Sequence, residues 1–417
     1  MNPTPQFFAW IDSHAKEDPQ TLRLRFAGKP SPDGVDIPTA ILQIECRRKC
    51  ARKLAGTLAA APEFVFPTAL SAEQCSSDRL ALFHASLLPE GTRTVVDLTA
   101  GLGIDAMTIA RKGIAVTAIE RQTTLADALR HNSAALGIAD FTVECADCRA
   151  WLEEAAARGL KFDAAFIDPA RRGSDGERLF ALEACEPDVL AMLPLLAQIC
   201  RRVIIKASPM LDITHTIAEL TPPGPARIIA AGTATECKEL IAVVDFPAAD
   251  TEPTIEAATL LDSVTATFAF TPETERLAPA VPDGPGIAPG MYICEPYPAT
   301  MKCGAHKVLA ERFALFGFGA NTRLFYSEEL PADDFPGEAF KVIDVQDYAS
   351  RNIKRFAGKF PAISVTARNF GINADQIRKK LGVREGDGHL RLFAVSAASD
   401  KRLLIVCKRV SRFANLG

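Results

Sequence analysis

Four acidic residues close four apolar runs in the first half of this 417-residue chain. Asp97 ends Thr94-Val95-Val96, Glu120 follows Ile114 to Ile119, Asp147 comes just after Phe141 to Cys145, and Asp168 follows Phe162 to Ile167. Carboxylates at the mouths of buried strands attract cations, accept hydrogen bonds from hydroxyls or amines, and take protons. After the first acid comes Thr99-Ala100-Gly101-Leu102-Gly103, a small-residue turn whose glycines let the backbone approach a ligand where a Cβ would collide. After the fourth comes Pro169-Ala170-Arg171-Arg172-Gly173. Proline fixes the backbone there and leaves carbonyls free to face a substrate, and the Arg171 guanidinium can stack on a planar ring or contact a phosphate.

These residues need strands behind them. Thr94 to Leu98 has the β-branched apolar character of a buried strand, and Ile104 to Lys112 has helical spacing. Strands at Ile114–Ile119, Phe141–Cys145 and Phe162–Ile167 alternate with a helix at Leu125–Leu136, which predicts a parallel α/β sheet. Gly101-x-Gly103-x-x-Ala106 also fits a dinucleotide fingerprint. Asp97 separates the two ligands. It would repel a pyrophosphate, but it would attract the ammonium and sulfonium of S-adenosylmethionine. Glu120 suits the ribose hydroxyls of either, so it marks a nucleoside site without fixing the chemistry.

Asp97-x-x-x-Gly101-x-Gly103 resembles motif I of the class I methyltransferases. The resemblance implies a Rossmann-like seven-stranded domain that binds S-adenosyl-L-methionine through Asp97, Thr99, Gly101, Gly103, Glu120, Arg121, Asp147, Cys148 and Asp168, with no metal. Asp147 falls where that family contacts the adenine amine. Asp168-Pro169-Ala170-Arg171 resembles motif IV of nucleic-acid methyltransferases, which implies catalytic roles for Asp168, Pro169 and Arg171 and transfer to a base nitrogen. The chain carries Arg171 where enzymes acting on exocyclic amines usually have an aromatic residue. The stretch is also similar to the uridine C5 methyltransferases, but Arg202 to Pro209, after the fifth strand, holds no cysteine nucleophile. Arg227–Ala231 and Leu240–Phe246 read as a hairpin whose connection carries Cys237, with catalysis and packing both open to it. Ahead of motif I, Gln74, Ser76 and Ser77 are candidates for closing over the cofactor, in a helix capped by Ser71 that runs to Leu88.

Nearly half of the residues are hydrophobic and 24% are charged, a globular balance. No apolar run is long enough to span a bilayer, and the first twenty residues lack a basic start and an unbroken apolar core. Eleven scattered cysteines without recurring zinc spacing suggest reduced thiols and a cytoplasmic protein. The formal charge of −4 conceals an asymmetry: residues 351–417 hold fifteen Lys/Arg against four Asp/Glu. Such a tail favours a polyanion, with Arg378, Lys379, Lys380, Arg384, Lys401, Arg402, Lys408, Arg409 and Arg412 as its basic face.

The expected organisation is an N-terminal helical region over 1–90 and the methyltransferase domain over 91–250, then a small ferredoxin-like α+β domain over 251–350 and a basic domain over 351–417. Within it, helices are expected at Ile41–Leu58 and Ala299–Phe316, and turns at Pro30–Gly34 and Ser399-Asp400. The C-terminal arrangement resembles the THUMP-like domain that follows a class I methyltransferase in a group of bacterial proteins. It implies delivery of structured RNA, tRNA or rRNA. A small-molecule methyltransferase, a non-catalytic RNA-binding protein on this fold and a dehydrogenase are the competing expectations.

Overall fold

The computed structural model describes residues 3–29, 34–171, 182, 185–221, 224–247, 252–319, 322–397 and 401–410. The expected turns at Pro30–Asp33 and Ser399-Asp400, with Arg172, Gly173 and Arg412, lie outside them. The chain forms two compact units, Met1–Arg227 with Leu240–Thr251, and Ile228–Glu239 with Glu252–Gly417.

The first unit opens with six helices: α1 (Pro5–His14), α2 (Pro19–Phe26), α3 (Ile37–Cys50), α4 (Ala55–Ala60), α5 (Ala69–Gln74) and α6 (Asp78–Ser86). Side chains of Thr4, Asp18 and Asp36 accept backbone N–H groups that the first turns of α1 to α3 leave unpaired. Phe7, Trp10, Ile11, Leu22 and Ile41 form their core. The expected Ile41–Leu58 helix is two helices, because the backbone turns out of register at Ala51–Leu54. The cap before the sheet also differs. Thr68, not Ser71, accepts the first-turn N–H, and Ser71 completes that capping box from the third position. The helix therefore starts earlier and stops at Gln74, and Ser77 caps a separate α6.

Between α4 and α5, Val65 and Phe66 belong to no strand and pair with none among the described residues. Gln43 exchanges two hydrogen bonds with the Phe66 backbone, both at 2.8 Å, and Asn132 does the same for Val65 at 2.8 and 3.0 Å. Each buried amide supplies one donor and one acceptor, as a neighbouring strand would.

The sheet follows: β1 (Thr94–Asp97), α7 (Ile104–Ala110), β2 (Ala115–Ile119), α8 (Thr123–Ala135), β3 (Phe141–Glu144), α9 (Cys148–Ala157) and β4 (Phe162–Ile167). A short ribbon of β5 (Ala170–Arg171) and β6 (Cys185–Glu186) precedes α10 (Val189–Ile199), β7 (Cys200–Ala207) and α11 (Ile213–Glu219). The hairpin of β8 (Arg227–Gly232) and β9 (Cys237–Asp245) then turns back. The order is β3-β2-β1-β4-β7-β9, and β8 follows β9. β1 lies parallel between β2 and β4, and β9 is antiparallel to β7. The parallel strands with antiparallel β9 are the expected Rossmann-like arrangement, though the sheet has nine strands and not seven. Val95 and Val96 are fully buried, each worth about 1.5–3 kcal/mol of transfer energy.

The second unit holds β10 (Thr254–Leu260), β11 (Thr265–Phe270), α12 (Pro272–Leu277), β12 (Tyr292–Pro296), α13 (Pro298–Cys303), α14 (Lys307–Arg312), β13 (Phe316–Gly317), β14 (Phe325–Ser327), β15 (Gly337–Asp347), α15 (Ser350–Lys359), β16 (Ser364–Arg368), α16 (Ala374–Leu381), β17 (Leu390–Ser396) and β18 (Arg402–Arg409). The expected Ala299–Phe316 helix is broken by Gly304, whose φ of 77° ends α13. Strand β10 and helix α15 had not been expected. Seven strands form one sheet in the order β13-β14-β12-β15-β18-β17-β16. The segments expected as separate domains share it, because β15 pairs with β18 across residue 350.

Candidate active site

All the strand-end acids line one cavity of the first unit, about 360 Å³, within the range of ligand pockets. Parallel strands end at one edge, so Asp97, Glu120, Asp147 and Asp168 arrive together although they are far apart in sequence. Thr99, Gly101, Gly103, Arg121 and Cys148 line the same space.

Asp97 is almost fully buried, and its Oδ1 accepts the Thr99 N–H at 3.1 Å. Burial pushes its carboxyl well above the usual carboxylate range, and Asp105, Asp168 and Glu120 nearby push the same way. Glu120 uses one oxygen for the Gly101 N–H at 3.0 Å and the other for the Gln122 N–H at 2.8 Å. That bond holds the glycine turn against β2, and Gly101 takes φ 55°, where a side chain is strained. At Gly103, φ is 83° and an added Cβ would lie 1.9 Å from a Leu129 methyl, so the turn leaves no room for a larger residue.

Asp147 is exposed and caps α9, its Oδ1 accepting from Arg149 and Ala150 at 3.0 and 3.1 Å. Cys148 begins that helix, and burial raises its thiol to about 11, so it is not a ready nucleophile. Arg121 pairs with Glu186 of β6 at 3.1 Å, a solvent-exposed contact of little energy. Asp168 donates its backbone N–H to the Thr99 hydroxyl at 2.7 Å, which ties the ends of β1 and β4 together. Pro169 is buried behind it. Arg171 lies in β5 opposite Cys185, and its side chain is outside the described residues.

Two groups escaped sequence reasoning. Lys206, near the end of β7, has its Nζ 2.6 Å from Asp168 Oδ2. Asp105, in the first turn of α7, meets His84 Nδ1 at 2.7 Å and accepts from the Ser76 hydroxyl at 2.6 Å. Burial raises the Asp105 carboxyl, but His84, Lys206 and Ser76 together bring it below its ordinary value. A Lys at the close of the fifth strand and an Asp after the second glycine were legible as types. Their pairings were not, because Asp168, Ser76 and His84 belong to other elements that only the fold brings near. Gln74 and Ser76 line the cavity, while Ser77 serves as the α6 cap.

The C-terminal residues 337–409 match the family described as THUMP domain-like, and residues 292–336 match a ferredoxin-like domain family. The whole chain is similar to the structure of a "putative methyltransferase from Porphyromonas gingivalis W83", at 27% identity and a TM-score of 0.85, covering 97% of this chain and 98% of that one. The chain is a class I methyltransferase fold with a THUMP-like C-terminus.

Other structures overlap this methyltransferase fold in part. They include the SAM-dependent methyltransferase from Agrobacterium tumefaciens (16% identity, TM-score 0.28, 40% of this chain and 59% of that one). The N-terminal domain of EvdMO1 with SAH bound gives 16% identity and a TM-score of 0.31, over 47% and 94%. No curated protein sequence matches the chain.

The remaining site expectations concern metals, membranes, Cys237 and the basic face. Among the described residues no group of three or more His, Cys, Asp and Glu is arranged to hold a metal, and no helix is long and apolar enough to cross a membrane. Cys237 lies in the second unit. Its thiol contacts the Ala231 and Glu239 carbonyls at 3.7 Å, and burial raises it to about 11, which describes a packed thiol. The expected basic face is partly spent on acids of its own unit. Arg378 pairs with Asp375 and Glu385, Lys401 with Asp347, and Arg409 with Glu338, while Arg402 lies over the Tyr348 ring. Residues 252–350 carry six Lys/Arg against fifteen Asp/Glu, nearly balancing the tail. Arg351, Lys354 and Arg355 on α15, with Lys379, Lys380 and Arg384 at α16, are exposed and form no ion pair among the described residues.

Proposed function

We propose that the chain is an S-adenosylmethionine-dependent methyltransferase acting in the cytoplasm on structured RNA, tRNA or rRNA. The convergence of Asp97, Glu120, Asp147 and Asp168 on one cavity carries this reading. The cavity lining carries seven carboxylates against two arginines, a balance that suits a cationic nucleoside and opposes a dinucleotide pyrophosphate, so the residues fit S-adenosylmethionine. When bound, that cofactor supplies an electrophilic methyl group on a sulfonium.

Asp97 would hold the amino-acid ammonium, and the Gly101–Gly103 turn would lie against the nucleoside. Glu120 retains acceptor capacity for ribose hydroxyls, and Asp147 with the first turn of α9 would bind the adenine edge. Arg121, Thr99 and Cys148 would complete the walls. Asp168 and Pro169 would orient the acceptor, with Arg171 beside them. Holding both partners at attack distance supplies much of the rate in such transfers. The THUMP-like domain and the α15/α16 cations favour RNA as the acceptor. A base nitrogen, expected from Asp168-Pro169-Ala170-Arg171, must share Asp168 with the Lys206 ammonium.

Comparing modified nucleosides of total RNA between wild-type and gene-deleted cells by mass spectrometry tests this reading. One methylated nucleoside of tRNA or rRNA is expected to disappear. An unchanged profile, with no calorimetric binding of S-adenosylhomocysteine to the protein, overturns it.

A further inference from the structure

The Lys206–Asp168 pair bears on which atom receives the methyl group. Lys206 is not a loose surface cation, since its side chain is only 15% exposed. Its Nζ lies 2.6 Å from Asp168 Oδ2 and 3.4 Å from the Ser76 hydroxyl. Ser76 in turn donates to Asp105, whose other oxygen meets His84. Ser76, Asp105 and His84 are all buried, so a polar chain rooted in the core holds the ammonium against Asp168, which lines the cavity.

An ammonium there selects between acceptor chemistries. A neutral exocyclic amine becomes positive as its N–C bond forms, and a neighbouring cation opposes that charge. A hydroxyl oxygen becomes a better nucleophile as it gains negative character, which the same cation favours.

Resting on the RNA reading above, we propose that the Lys206–Asp168 pair receives a hydroxyl acceptor, the ribose 2′-hydroxyl of RNA, and not an exocyclic base amine. The Lys206 ammonium donates a hydrogen bond to the acceptor oxygen. The Asp168 carboxylate takes the hydroxyl proton as the new C–O bond forms. The S–CH3 bond breaks with its electron pair retained by sulfur, and Asp168 then passes the proton to water. The products are a 2′-O-methyl ribose, a neutral thioether and one proton.

The test uses the full-length protein, S-adenosylmethionine with a labelled methyl group, and total RNA from gene-deleted cells, followed by digestion and mass spectrometry. The label is expected on ribose, in linkages that resist alkaline hydrolysis. Lys206→Met is expected to lower kcat by about 100-fold or more while leaving KM for RNA nearly unchanged. Its calorimetric affinity for S-adenosylhomocysteine should stay within about threefold, and Lys206→Arg should recover part of the rate. Label on a base atom, or full turnover by Lys206→Met, overturns the hydroxyl assignment and leaves the methyltransferase reading standing. Bound S-adenosylhomocysteine with no transfer to any RNA overturns the RNA reading and the assignment together. Absent binding overturns the cofactor reading itself.

Discussion

Glu120 accepts the Gly101 backbone N–H at 3.0 Å, so the acid that closes β2 also sets the position of the glycine turn after β1. Cofactor recognition and loop geometry therefore depend on one carboxylate. Glu120→Ala should weaken S-adenosylhomocysteine binding at least tenfold by calorimetry. It should also lower stability by about 1 kcal/mol in urea titration, because two part-buried N–H groups lose their acceptor. A variant that binds normally would show that this acid serves the turn alone.

Asp97 trades stability for binding. Its folded carboxyl sits well above the ordinary aspartate value, chiefly through burial. The folded chain then binds the proton more tightly than the unfolded chain does. Stability from this group is present below the unfolded value, about 3.9, and is lost as pH rises through the folded one. Asp97→Asn keeps an acceptor for the Thr99 N–H and removes the buried charge. It should raise Tm near neutral pH, with the gain shrinking in acid, while S-adenosylhomocysteine affinity falls at least tenfold. A lower Tm at neutral pH would contradict this account.

Asp105 behaves in the opposite sense. With His84 and Lys206 beside it, its carboxyl lies below its ordinary value, so its stabilising contribution is present above the unfolded value and fades as pH falls through the folded one. His84→Ala should cost roughly 3–5 kcal/mol, because it strands a buried carboxylate without its neighbour. Chemical denaturation of the full chain measures this.

The six cations at α15 and α16 separate RNA binding from charge in general. Replacing Lys354, Arg355 and Lys379 by Gln should weaken RNA binding, and the slope of log affinity against log salt should fall by about 2–3. Lys401→Ala and Arg409→Ala, which remove cations already paired with Asp347 and Glu338, should change that slope little. Equal effects from both sets would mean that the helical surface has no special role.

The sheet and its four acids were legible because strand, glycine turn and helix are local signals, and parallel topology then aligns their ends. Lys206, Asp105 and His84 were not, since each takes its meaning from a neighbour brought in by tertiary packing. Thr68 was passed over because Ser71 offered an equally good cap three residues later. Helix α15 was missed although Ile353, Phe356, Ala357 and Phe360 have helical spacing, because its basic residues drew attention to charge instead of period. The shared C-terminal sheet depends on β15 meeting β18 after more than fifty intervening residues, which no local pattern reports.

That shared sheet also shapes the electric field of the second unit. Acid-rich residues 252–350 and base-rich residues 351–417 fold as one body, so its net charge is small: several tail cations pair with those acids, while the six at α15 and α16 stay exposed. A body so balanced acts on a polyanion through its local exposed cations and not through its net charge. At long range a polyanion would feel little pull towards it. At close range it would be turned until its phosphates faced α15 and α16, so the field would set orientation before it added much affinity.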